Sequence, residues 1–362
     1  LTSENAGVIN SGDIISEQDK VELYGKLDVR NEVGSKITAK NEVILNSQEG
    51  QTVNDGEITS KLDRVELFGK KGVWNNPQGN ITAKKHVELK GNTGVAVNTG
   101  KITSEEDRVT LTAEQDVQNR EEESNQGTIT AAKDITLTST KGKVENSGTI
   151  DSADGIVDLR ADQDVVNYAG GEVKAGESIT LTSEVAQAIN IGVLTSLDKI
   201  KISGQSGASN EHGGVVTAKK EVILNGNSGA ATNAAEIISK EEFVKLSGAK
   251  DVINEAKAKV AAVKEITLTS ENGQAVNSGE IASELGKVEL SGKQGVWNNQ
   301  QGNITAKKQV ELKGNERVAV NSGRIKSKEG KVDLRADQDV VNYAGGVINA
   351  DQAVTLTSEN VE

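Results

Sequence analysis

One apolar-x-Leu triplet recurs through the whole chain, opening at Val21, Val43, Val65, Val87, Val109, Ile135, Val157, Ile179, Ile200, Val222, Val244, Ile266, Val288, Val310, Val332 and Val354. Of the fifteen intervals thirteen are 22 residues, one is 26 and one is 21. The third residue is Leu in every unit but one, where it is Ile202, and Leu1 fits the same slot of an earlier unit. So short a period, kept up throughout, rules out a fold gathered round one central core. Each unit must be ordered by its neighbours, as in a solenoid.

An Asn further into each unit divides the units into two alternating kinds. In the first it lies ten residues after the opening, at Asn31, Asn75, Asn119, Asn167, Asn210, Asn254, Asn298 and Asn342. In the second it lies eleven after, at Asn54, Asn98, Asn146, Asn190, Asn233, Asn277 and Asn321, with Asn10 in the first unit. The first kind closes on apolar-x-Ala, as at Ile37 to Ala39, and the second on apolar-x-Ser, as at Ile58 to Ser60. The true period is therefore a double unit of about 44 residues, with a longer turn alternating between two corners.

Each unit holds three short stretches of two-residue alternation, rich in Val, Ile, Leu and Thr and separated by Gly, Asn, Asp, Lys and Ser, which read as strands and turns. None carries the 10 to 12 residues of 3.6 periodicity that a helix needs. The spacing predicts an all-β chain: a right-handed, single-stranded parallel β-helix of about sixteen coils of 22 residues, three strands to a coil, stacked at ~4.8 Å. Residues 1–362 read as one continuous β-helix. Within it residues 119–129 form a coil lengthened by four residues near Glu121 to Ser124, whose acidity favours an outward loop.

Val or Ile at the opening and Leu two residues later are expected to point inward and stack on their equivalents. The sixteen Asn in line predict a structural column of side-chain amides bonded from coil to coil. In the second kind of unit the residue two after the Asn is Gly at Gly12, Gly56, Gly100, Gly148, Gly192, Gly279 and Gly323. A left-handed backbone is the expectation there, with strain or another turn type at the exception, Ala235.

Composition limits the chemistry. Only 35% of the chain is hydrophobic and 2% aromatic against 26% charged, so order must come from placement. There is no Cys, and hence no disulfide framework, thiol nucleophile or Cys metal site. With a net charge of −13 and Lys and Arg interleaved among more numerous acids, nucleic acid is not an expected partner. No apolar run is long enough to predict a transmembrane segment. His86 and His212, the two histidines, lie roughly six coils apart on the predicted stacking, too far for a His relay or His metal site. No enzyme and no cofactor are expected, a polysaccharide-processing β-helix being the least favoured reading.

Three outward features have competing readings. Glu289, Glu311 and Asp333 in successive coils could present oxygen ligands to a cation, but Lys313 and Arg335 two residues on favour a ladder of opposed charges. Thr38, Thr59, Thr82, Thr103 and Thr130 form a column that β-propensity explains better than an ice-binding array, which is two columns wide. The residue before the Asn is apolar in eleven of sixteen units, among them Trp74, Ile253, Trp297 and Val341. If alternation turns this column outward it is a contact stripe; if it slips by one, the column belongs to the core.

Units reading Val-Asn-Ser-Gly-Glu-Ile at residues 276–281 and Val-Glu-Leu-Ser-Gly at 288–292 resemble the haemagglutinin repeats of filamentous-haemagglutinin-like exoproteins. So do the stretches Asn-Ile-Thr-Ala-Lys-Lys at residues 80–85 and 303–308. The resemblance implies the parallel β-helical shaft of a very large Gram-negative surface protein of the two-partner secretion type, adhesin or contact-dependent growth inhibition effector, associated with virulence. It implies secretion to the cell surface through an outer-membrane partner that engages a domain elsewhere in the protein. The expected role is a structural shaft segment projecting a distal binding or toxin module. The alternative is a shaft itself adhesive toward glycan, a host-cell or bacterial receptor, or neighbouring filaments. Neither end shows a polar cap in the sequence, which leads to the expectation of a segment of a longer protein, prone to end-to-end or lateral self-association.

Overall fold

The computed structural model describes residues 1–122 and 125–360. Among them there is no helix, and every regular element is a strand of two to six residues. The chain divides into two compact units, Leu1–Glu184 and Val185–Glu362. Each is a parallel β-solenoid of three-stranded turns; together they hold about sixteen turns of about 22 residues.

One turn of the first unit runs through Val65–Gly69 on a first face, Gly72–Asn75 on a second and Asn80–Ala83 on a third. The next turn repeats it as Val87–Gly91, Val95–Asn98 and Lys101–Ser104. Pairing is parallel and sets like upon like: Val65 on Val87, Leu67 on Leu89, Asn75 on Asn98 and Ile81 on Ile102. The second unit does the same, with Val288 on Val310, Asn298 on Asn321 and Ile304 on Ile325.

Two-residue alternation in the sequence is what sorts inside from outside. Val65, Leu67, Val73, Ile81 and Ala83 are fully buried, while Glu66, Phe68, Trp74 and Thr82 point away from the core. Each fully buried aliphatic side chain contributes about 1.5–3 kcal/mol, and the set recurs in every turn. A chain poor in apolar residues is thus ordered because most of its Val, Ile and Leu fall on inward positions.

The double unit has a physical basis at the corners. Where the third-face strand ends in Ser, the corner that follows is one residue longer, as from Ser283 to Val288 against Ala306 to Val310. The Ser hydroxyl fills that corner. Ser152 Oγ donates to the Lys133 carbonyl of the turn before at 2.6 Å and accepts the Gly155 N–H at 3.1 Å. Ser60, Ser104, Ser239, Ser283 and Ser327 donate in the same way to Asn41, Lys85, Lys220, Lys264 and Lys308. Ser196 is the exception: its corner is one residue shorter, its Oγ bonds Lys199 O at 3.1 Å, and here falls the single 21-residue interval.

The expectation of left-handed glycines after the Asn is overturned. Gly12, Gly56, Gly100, Gly148, Gly279 and Gly323 have no positive φ. Except at Gly12, where a Cβ would meet nothing within 4 Å, the constraint is space instead: a Cβ on Gly279 would meet the Ala258 carbonyl oxygen at 2.3 Å and that of Glu255 at 2.4 Å. Ala235 makes the same Asx turn as Gly279, its N–H reaching Asn233 Oδ1 at 3.3 Å, and shows no positive φ either. Left-handed residues lie in the other kind of turn, three after the Asn, at Gly34, Gly170, Gly213 and Gly345, and at Lys257 with φ 69°. The lengthened coil forms a small antiparallel pair, Glu121–Glu122 with Asn125–Gln126. Residues 123 and 124, the rest of the insertion, lie outside the described residues.

Candidate functional site

The Asn column is the most regular polar feature. From Asn10 through Asn167 in the first unit, Nδ2 of each Asn donates to Oδ1 of the Asn one turn on at 2.8 Å. From Asn190 through Asn342 in the second the distances are 2.7 to 2.9 Å. The remaining N–H turns to backbone, as from Asn54 to Gly56 O at 3.0 Å and from Asn146 to Gly148 O at 3.1 Å. All are buried except Asn342. An amide can stack on itself in this way because it carries both donor and acceptor; an ionised carboxylate has no proton to give.

The residue before each Asn faces outward. In the second unit Ile253, Val276, Trp297, Val320 and Val341 are in register on five successive strands of the second face. In the first unit the apolar run is Val53, Trp74 and Val97. Trp74, Ile253, Trp297 and Val341 are half-buried. Val53 and Val97 are only 6% and 4% exposed although they point away from the core, so the outward side chains cover one another.

The two indoles share a pose that the sequence reading missed. A Cβ on Gly72 would lie 2.5 Å from Cη2 and 2.8 Å from Cζ3 of Trp74; on Gly295 the distances to Trp297 would be 2.6 and 2.9 Å. The outer edge of the six-membered ring therefore reaches back over the glycine two residues earlier. Those glycines have φ +135° and +119°, so they serve both the backbone and the ring. The signal was present: Gly-Val-Trp-Asn-Asn stands at residues 72–76 and again at 295–299.

The outward carboxylates of the first face sit beside cations of their own strand or its corner. Lys287 pairs with Glu289 at 3.2 Å, Arg64 with Glu66 at 2.8 Å, and Arg335 Nε with Asp333 at 2.9 Å. Gln309 donates to Glu311 at 3.4 Å. Burial raises the Glu66 and Asp158 carboxyls, whereas the neighbouring His86 lowers Glu88. Among the described residues no group of three or more His, Cys, Asp or Glu could hold a metal ion. His86 lies at 3.8 Å from Glu88 in the first unit and His212 at 4.0 Å from Glu255 in the second. Thr38, Thr59, Thr82, Thr103 and Thr130 form one outward column on the third face. No helix of the described residues is long and apolar enough to cross a membrane.

The fold and its polar column define a parallel β-solenoid with an internal Asn ladder. No protein-family model, no curated protein and no solved structure matches the chain.

Proposed function

We propose that the chain is a structural shaft segment of a large secreted bacterial surface protein of the filamentous-haemagglutinin-like kind, an adhesin or growth-inhibition exoprotein, with no enzymatic activity of its own. The observation that carries this reading is the sameness of the cross-section. Turn after turn repeats the same Val, Leu and Ile, the same Asn bond and the same Ser or Ala corner, so the chain is specified for extent along the stack. A catalytic solenoid would be expected to depart from the repeat where its chemistry sits. The resemblance of residues 276–281, 288–292, 80–85 and 303–308 to haemagglutinin repeats supplies the family part of the proposal.

Deleting one double unit in frame, residues 266–309, tests it. A spacer keeps its β-content, its export and the activity of whatever it displays. Loss of a binding or turnover activity belonging to this chain would refute the shaft reading.

A further inference from the structure

The two kinds of turn differ at two corners, and at each corner one kind is shaped to receive the other. At the Asn corner the glycine of a second-kind turn lies over the carbonyls one and four residues after the Asn beneath: Gly279 over Glu255 and Ala258, Gly323 over Asn299 and Gly302, Gly100 over Asn76 and Gly79. A first-kind turn always has a side chain at that place, as with Gln300 after Asn298. At the other corner the Ser of a second-kind turn gives its hydroxyl proton to the second carbonyl of a first-kind corner, as Ser283 does to Lys264 and Ser152 to Lys133. An Ala has nothing to give.

Charge follows the same alternation. The two residues after the closing Ala are net basic in six of eight turns, whereas the three after the closing Ser are never net basic. In the first unit Lys84 reaches forward to Glu105 at 3.3 Å and Glu106 at 2.9 Å, while Lys85 reaches back to Asp63 at 3.6 Å. In the second, Lys219 reaches forward to Glu241 at 3.6 Å and Lys220 back to Asp198 at 2.8 Å. Lys264 goes back to Glu242 at 2.6 Å and Lys307 forward to Glu329 at 3.7 Å. At Lys84–Lys85 and at Lys219–Lys220 a basic corner is thus held between two acidic ones. Exposed pairs of this kind are individually weak, so their weight lies in what they exclude: like corners stacked together would set lysine against lysine.

The core does not enforce this order. The inward Val, Leu, Ile and Asn are shared by both kinds of turn, so the apolar stack and the amide ladder would tolerate turns in any sequence. We propose that the corners form a pairing code: each surface of a turn is an interface that accepts only a turn of the other kind, and the chain can be lengthened, shortened or recombined only by whole double units. The proposal stands apart from the shaft reading, since it concerns which turns can lie together and not what the stack displays.

Two replacements of equal length test it in the full chain. Residues 266–287, a second-kind turn, are exchanged for a copy of residues 310–331, of the same kind, or for a copy of residues 288–309, of the other. Both keep the Val, Leu and Asn columns. The second exchange sets three basic corners in succession, removes the Ser283 hydroxyl and puts a glutamine where Gly279 was. We expect the same-kind copy to melt within about 3 °C of the parent by circular dichroism and the other-kind copy at least about 8 °C lower, with amide protection in the adjoining strands reduced about tenfold. Failure of the other-kind copy to fold, while the same-kind copy folds, gives the same answer. Salt at ~1 M should narrow the deficit by screening the stacked lysines. Equal midpoints for the two copies, or an equal loss in both, overturn the proposal, and a deficit that salt leaves untouched overturns its electrostatic part.

Discussion

Replacing Asn277 by Ala, in the middle of the second unit, is the sharpest probe of the amide column. Asn277 accepts from Asn254 Nδ2 at 2.8 Å and donates to Asn298 Oδ1 at 2.8 Å, and its Oδ1 also takes the Gly279 N–H at 3.3 Å. Each net bond lost costs about 0.5–1.5 kcal/mol, and a buried acceptor left without its donor about 1–3 kcal/mol. Asn254 keeps its bond to Glu280 O at 3.2 Å, but Asn298 Oδ1 loses its one donor. The expected loss is about 2–4 kcal/mol, against about 0–1 kcal/mol for Asn342→Ala at an exposed position of the same column. Urea unfolding followed by circular dichroism measures the difference, and hydrogen exchange at residues 252–298 localises it. Asn277→Asp adds a signed check. Buried and without a cation, the new carboxyl titrates above its unfolded value in the fold, so this variant is most stable below the unfolded pKa, where the protonated acid still donates to Asn298. Its stability falls as pH rises through the folded pKa. An Asn277→Ala loss no larger than that of Asn342→Ala, together with a pH-independent Asn277→Asp, would refute the ladder as a source of stability.

Glycine at the Asx corner is a matter of room, so Gly279→Ala should cost about 1–3 kcal/mol in urea unfolding. Gly12→Ala, whose Cβ would meet nothing within 4 Å, should stay within about 0.5 kcal/mol of the parent. Lys257 holds φ 69° where Gly34, Gly170, Gly213 and Gly345 stand in four other turns, and Lys257→Gly should raise stability by about 0.5–1 kcal/mol; a decrease would argue against the left-handed turn. Burial raises the Asp158 carboxyl despite the nearby Arg160, so its contribution to stability is present below the unfolded pKa and is lost as pH rises through the folded one. Asp158→Asn should therefore be neutral at low pH and stabilising at neutral pH in parallel thermal melts. Trp74 and Trp297 face outward, and acrylamide should quench both; complete protection would place them in the core.

Much of this molecule was legible because its period is shorter than any globular core. The opening Val and the Leu two residues on fall inside for the same reason in every turn, and the Asn column follows from one residue type kept in step with them. The side chain of Trp74 could not be placed by alternation alone, since corners on either side of a four-residue strand can shift the phase; the amide bond of Asn75 pins that residue inward and so turns Trp74 out. The Ser hydroxyls of the longer corners bond carbonyls about nineteen residues earlier, as Ser152 does Lys133. Such a partner is invisible until the turns are stacked. The glycine at position 279 was misread for the same reason: the obstruction is Ala258 O, which belongs to the turn before.

Every amide in the ladder gives its proton in the same sense, toward the carboxy-terminal side, from Asn10 to Asn31 and from Asn277 to Asn298 alike. Each stack is therefore polar along its axis, its amide oxygens facing one way and its donating N–H groups the other, and the aligned dipoles reinforce one another. A copy laid on it upside down would set N–H against N–H or oxygen against oxygen. Growth by addition of further turns has only one permitted orientation.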